Sequence, residues 1–160
     1  SIFHILSHAA TKSLLFIAAI GLTDASGGSR KFIDLTGAAY RNKWAGVAFT
    51  AGSLSMVGIP LFSGFISKLL FAQAAVQVEG KMLASLIVLG ISTVLNAVYF
   101  MKTVIRIYTS EQDAPYRSIT FRDRKGYTVV LVCSVLLNVI LGVSSQPVVD
   151  MIGQGLAMFA

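Results

Sequence analysis

His4, His8 and Lys12 follow one another at four-residue steps inside the apolar run SIFHILSHAATKSLLFIAAIGL, residues 1–22. On an α-helix each such step advances the side chain by about 400°, so the three form one slowly winding stripe. Lys68 stands in a second apolar run, in GFISKLL. Histidine changes protonation near neutral pH, and a buried amine gives up its proton more readily than one in water because desolvation penalises the charged form. Ionisable groups at membrane depth are costly and mark ion or proton paths. Transfer of a proton along Lys12, His8, His4 and Lys68 is therefore the chemistry these residues offer. A metal site is not expected, because the i, i+4 histidine pair has no glutamate between its members and no evident third ligand. The sequence also lacks a nucleotide loop, a Cys cluster and a Ser-His-Asp pattern.

Composition supplies the setting. Of 160 residues, 55% are hydrophobic and only 12% charged, and the mean hydropathy is +0.76. Soluble domains carry roughly twice that charge. The fold expected is an all-α membrane protein. The net charge is +6, yet the cations cluster in two places: Arg30, Lys31, Arg41 and Lys43, then Arg117, Arg122, Arg124 and Lys125. Neither cluster has aromatic residues interleaved for base stacking, so nucleic acid is not the expected partner. Basic loops beside membrane helices report topology instead. The single Cys133 sits in an apolar run and excludes an internal disulfide framework.

A bilayer core needs about 20 apolar residues per helix. Four transmembrane segments are expected, over 1–22, 45–78, 82–108 and 127–144, with an apolar tail, 147–160, that lies along the interface or continues the chain. As one straight helix, 45–78 would run about 51 Å, well beyond a core of about 30 Å. It contains Gly58, Pro60 and Gly64, and proline removes an amide donor and clashes with the preceding turn. A break near Pro60 is expected. The two basic loops are separated by two crossings, which puts both on one side, the cytoplasmic one by the positive-inside rule.

The first helix is near break-even for insertion on its own. Ten large apolar residues contribute roughly −3 to −6 kcal/mol, and a central lysine takes back about 2.5 to 3.5 kcal/mol. It should be packed among other helices, with Lys12 facing protein or water. Ser85, Ser92, Asn96, Tyr99 and Thr103 share one face of the third helix. They fit interhelical hydrogen bonding or the polar wall of a hydrated path, with Asn96, Tyr99 and Lys102 as the candidate path residues. Lys102 and Arg106 also suit snorkelling toward the cytoplasmic end, and Lys68 could snorkel from its own helix.

The residues HILSHAATKSLLFIAAIGL and GSLSMVGIPLFSGFISKLLF resemble two successive motifs of the proton-translocating antiporter-like subunits. In loose form these read H-x-x-x-H-A-x-x-K-x-x-L-F and G-x-L-S-x-x-G-x-P-x-x-S-G-F-x-S-K. This family includes large membrane-arm subunits of respiratory complex I, Mrp-type cation/proton antiporter subunits and membrane-bound hydrogenase subunits. In YRNKW, Asn42-Lys43 departs from the Met-Pro of many members. The resemblance covers about residues 1–78 and implies a plan of a dozen or more helices in inverted repeats. This chain would be its C-terminal part, the last four transmembrane helices. Ser1 in place of Met, together with the abrupt start, fits a chain that begins within a longer protein. The resemblance implies Lys12 as the central lysine of a half-channel, His8 and His4 as relay neighbours, and Lys68 as the terminal ionisable residue on the broken helix. It also implies no redox cofactor in the subunit. The expected partners are the bilayer, other membrane subunits of a complex and the remaining N-terminal helices of the same chain. The expected location is a bacterial or archaeal inner membrane. Proton and sodium coupling both fit, and a structural membrane anchor that transfers no ion is the alternative.

Overall fold

A computed structural model of the chain describes residues 2–77, 82–109 and 125–157. These are helical apart from short connections, with no strand among the described residues. The elements are α1 (Ile2–Asp24), α2 (Ala38–Arg41), α3 (Lys43–Val57), α4 (Ser63–Val76), α5 (Met82–Tyr108), α6 (Lys125–Val143) and α7 (Ser145–Ala157). A single 3-10 turn, Phe32–Leu35, lies between α1 and α2. Among the described residues three helices, α1, α5 and α6, are long and apolar enough to cross a membrane.

α1 packs through one face. Phe3, Ser7, Thr11, Leu14, Ala18 and Gly21 are buried at steps of three and four. Leu14, Leu15, Ala18 and Leu22 meet Ala45, Ala48 and Phe49 of α3, Ile107 of α5 and Leu131 of α6 in the apolar core. Small residues on α3 let the helices approach closely, as expected where lipid removes the hydrophobic drive between helices. α5 buries only Ile107 and presents an otherwise half-buried or exposed, largely apolar surface.

The expected segments 1–22, 82–108 and 127–144 appear as α1, α5 and α6, with ends within two residues of those expected. The expected segment 45–78 appears as two helices, α3 and α4, with residues 58–62 non-helical between them. α3 ends in a Schellman-type turn. Gly58 takes φ +90°, its N–H returns to the Leu54 and Ser55 carbonyls, and the Ile59 N–H also reaches the Leu54 carbonyl. Leu61 holds a positive φ of 103°, a conformation costly for a branched side chain. The tail is helical as α7.

The connection from α1 to α3 is closed by side chains. Buried Arg41 donates from Nε to the Ala25 carbonyl (2.8 Å) and from Nη2 to Ser26 Oγ (3.1 Å). Asn42 Oδ1 accepts the Ala45 N–H and caps α3, while its Nδ2 donates to the Gly21 carbonyl at the end of α1. The departure from Met-Pro at this position thus supplies a cap. The far end of α5 meets the same connection: the Arg106 guanidinium lies 5.8 Å from the Phe32 ring centroid, and Tyr108 packs edge-on against Tyr40. The basic residues expected at 117–124 and the turn expected at 79–81 lie outside the described residues.

Candidate functional site

A cavity of about 830 Å³ opens between α1, α4 and α5 beside the end of α3. Its polar lining comes from each element in turn. α1 contributes His4, Ser7, His8 and Thr11, α3 contributes Ser55, α4 contributes Ser67 and Lys68, and α5 contributes Ser85, Ser92 and Asn96. The remaining wall is apolar, including Phe71, Val88 and Leu89.

His4 Nδ1 is hydrogen-bonded to Ser67 Oγ. The His4 ring stacks on His8 with centroids 5.5 Å apart and meets Phe71 edge-on at 4.8 Å. Lys68, the next residue after Ser67, turns its ammonium back toward the interrupted backbone. Its Nζ donates to the Val57 carbonyl (2.7 Å) and to Thr93 Oγ1 (2.9 Å), and Thr93 Oγ1 in turn donates to the Leu89 carbonyl. The Val57 carbonyl is one that the end of α3 leaves without a helical donor, so the lysine satisfies an orphan acceptor of the helix terminus. Gly58 makes room for this: a Cβ there would stand 2.9 Å from Lys68 Cδ.

Of the residues singled out in the sequence, His4, His8, Lys68, Ser85, Ser92 and Asn96 share the cavity. Lys12 does not line it. It is exposed on the outer side of α1, because the stripe winds about 40° per four-residue step and leaves the cavity after His8. Tyr99 is 67% exposed and packs against Phe100, and Lys102 is exposed. Among the described residues no cluster of three or more His, Cys, Asp or Glu is placed to hold a metal ion.

A second polar group went unread in the sequence. Asn138 of α6 is wholly buried, and its Oδ1 accepts from Thr11 Oγ1 (3.0 Å), Ser55 Oγ (2.9 Å) and Ser63 Oγ (2.9 Å). Thr11 Oγ1 also lies within reach of the Ser7 carbonyl and Ser55 Oγ. The available signal was a lone carboxamide in the apolar run LVCSVLLNVILGV.

A helical membrane protein with two histidines and a lysine lining one cavity is the class these features define. The chain belongs to the NADH:quinone oxidoreductase/Mrp antiporter transmembrane family, whose model matches residues 1–95. It is 34% identical over 111 residues to NADH-quinone oxidoreductase subunit N 1 of Sorangium cellulosum, a match covering 69% of this chain and 21% of that protein. It is 29% identical over 144 residues to the Mycobacterium bovis NADH-quinone oxidoreductase subunit N, covering 86% and 26%. It is also 29% identical over 121 residues to a Staphylococcus aureus protein named for an antiporter subunit, mnhA2, covering 71% and 15%. The chain thus spans about a fifth of the length of the curated relatives it matches. All three carry the word subunit in their names.

Proposed function

We propose that this chain carries one stretch of a proton path, or of a cation/proton exchange path, across a membrane as part of a larger antiporter-like subunit. The observation that carries the reading is the meeting of His4, His8 and Lys68 in one cavity, with Ser67 bonded to His4 and adjacent to Lys68. Each of the three can take and release a proton, and hydroxyls and water between such groups pass it on. Asn96 continues the polar lining along α5, toward Tyr99 and Lys102.

In this reading α3 and α4 are the two halves of one crossing broken around Pro60. Their 15 and 14 residues reach about 22 Å each, short of a core of about 30 Å, so neither spans it alone. That gives four crossings with α1, α5 and α6. Non-helical backbone at membrane depth must be buried or line a hydrated cavity, and residues 58–62 border this one through Lys68. Lys12, one turn along α1 from His8, extends the path toward the remainder of the subunit, since a lysine left against lipid would cost about 2.5 to 3.5 kcal/mol. The subunit sits in a bacterial or archaeal inner membrane beside other membrane subunits, with the basic loops in the cytoplasm.

The test is proton uptake by membrane vesicles carrying the complete natural chain, with Lys12→Ala or Lys12→Met. Both variants are expected to lose most of the uptake. Near wild-type uptake in both, at normal abundance, would contradict the relay and favour a structural anchor.

A further inference from the structure

We infer that Asn138 is a positioning residue that fixes Lys68 against the end of α3, an inference that rests on the transfer role proposed for Lys68. One carboxamide oxygen gathers hydroxyls from three other elements: Thr11 of α1, Ser55 in the last turn of α3 and Ser63 in the first turn of α4. Ser55 stands two residues before Val57, whose carbonyl holds the Lys68 ammonium. Ser63 stands five residues before Lys68 on the same short helix. Both ends of the interruption are therefore tied to one atom of α6, on either side of the lysine–carbonyl contact.

Two further contacts hold the same junction. The Gly64 N–H donates to Ser55 Oγ at 3.3 Å, and α4 approaches so closely that a Cβ at Gly64 would overlap the Ser55 carbonyl. One turn beyond Asn138, a Cβ at Gly142 would overlap the Leu61 carbonyl, so α6 seats the non-helical residues as well as bonding their flanks. Asn138 Nδ2 has no acceptor among the described residues. An exposed serine or threonine could find water if that oxygen were removed. Here Ser63 is wholly buried and off the cavity lining, so losing its acceptor lets the start of α4 shift against the end of α3. A shift of about 1 Å in a transfer group can cost up to a hundredfold in rate.

Asn138→Leu and Asn138→Asp separate this role from packing. Leucine keeps the same branched heavy-atom skeleton without the oxygen, and aspartate keeps an acceptor there. In vesicles containing the complete chain, with its abundance in the membrane measured alongside, Asn138→Leu is expected to lower proton uptake about tenfold. Asn138→Asp is expected to keep more than half. Wild-type uptake by Asn138→Leu at normal abundance, or equal loss from both variants, would overturn the inference. Should Asn138→Leu fail to accumulate, Ser63→Ala decides: it removes only the α4 tether, and undiminished uptake would overturn the inference. Lys68→Ala measured in the same series keeps the two ideas apart. If it abolishes uptake while Asn138→Leu does not, the transfer role of Lys68 stands and the positioning role of Asn138 falls. If Lys68→Ala transports normally, the transfer role fails first and this inference with it.

Discussion

His4 does two things at once that substitution can divide. Its ring is stacked on His8 and bonded to Ser67, so it has a packing role, and it can also carry a proton. His4→Gln keeps a hydrogen-bonding group near Ser67 but cannot ionise. The relay predicts that His4→Gln lowers proton uptake about a hundredfold, the low end of what a positioned proton-transfer group contributes. Ser67→Ala should cost less, because His4 and Lys68 remain in place. Equal, small losses from both would reduce His4 to a packing residue. These titratable residues were legible in the sequence because their types are rare in apolar runs. Their grouping was only partly legible: the four-residue stripe drifts around α1, so His4 and His8 reach the cavity and Lys12 does not. Asn138 escaped notice for another reason. Its partners Thr11, Ser55 and Ser63 are 127, 83 and 75 residues away, and no local pattern records contacts of that range.

At the scale of elements, the long apolar runs translated directly into α1, α5 and α6, because a bilayer-length run with helix-forming residues leaves little choice of structure. The region around Pro60 carried more information than its proline. In a continuous helix Pro60 would leave the Met56 carbonyl without a donor. The chain instead ends α3 at Gly58 in the left-handed region and starts α4 at Ser63. Gly58→Ala therefore meets both an unfavourable φ and the Lys68 side chain. It is expected to cost about 1–2 kcal/mol of stability for the conformation alone, read as a lower thermal midpoint of the purified protein in detergent. Gly126→Ala, with open space around it, serves as the control and should not lower the midpoint. A midpoint for Gly58→Ala equal to that of the control would show that the end of α3 is not held as described.

For the whole molecule, the contacts of Phe32 with Arg106 and of Tyr40 with Tyr108 bring the end of α5 to the connection between α1 and α3. Two crossings, α3–α4 and α5, would return the chain to the side it left, in keeping with the charge pattern. Single cysteines at Ser29 and Thr109, in a Cys133→Ser background, should both resist an impermeant thiol reagent in intact cells and react in opened ones. Labelling of either from outside would reverse the proposed orientation, and labelling of only one would break the shared side. Charge clusters carried the expectation of a shared side, whereas the side chains that build the connection, Arg41 and Asn42, were read only as a loop cation and as a departure from a motif. The central claim is that the lysine at the helix interruption passes a proton, and the most direct measurement is proton uptake by vesicles carrying Lys68→Ala or Lys68→Glu in the complete chain. The relay predicts that the glutamate variant, still able to take and release a proton, keeps clearly more uptake than the alanine variant, which loses nearly all of it. Wild-type uptake by Lys68→Ala, or equal loss from both, would contradict it.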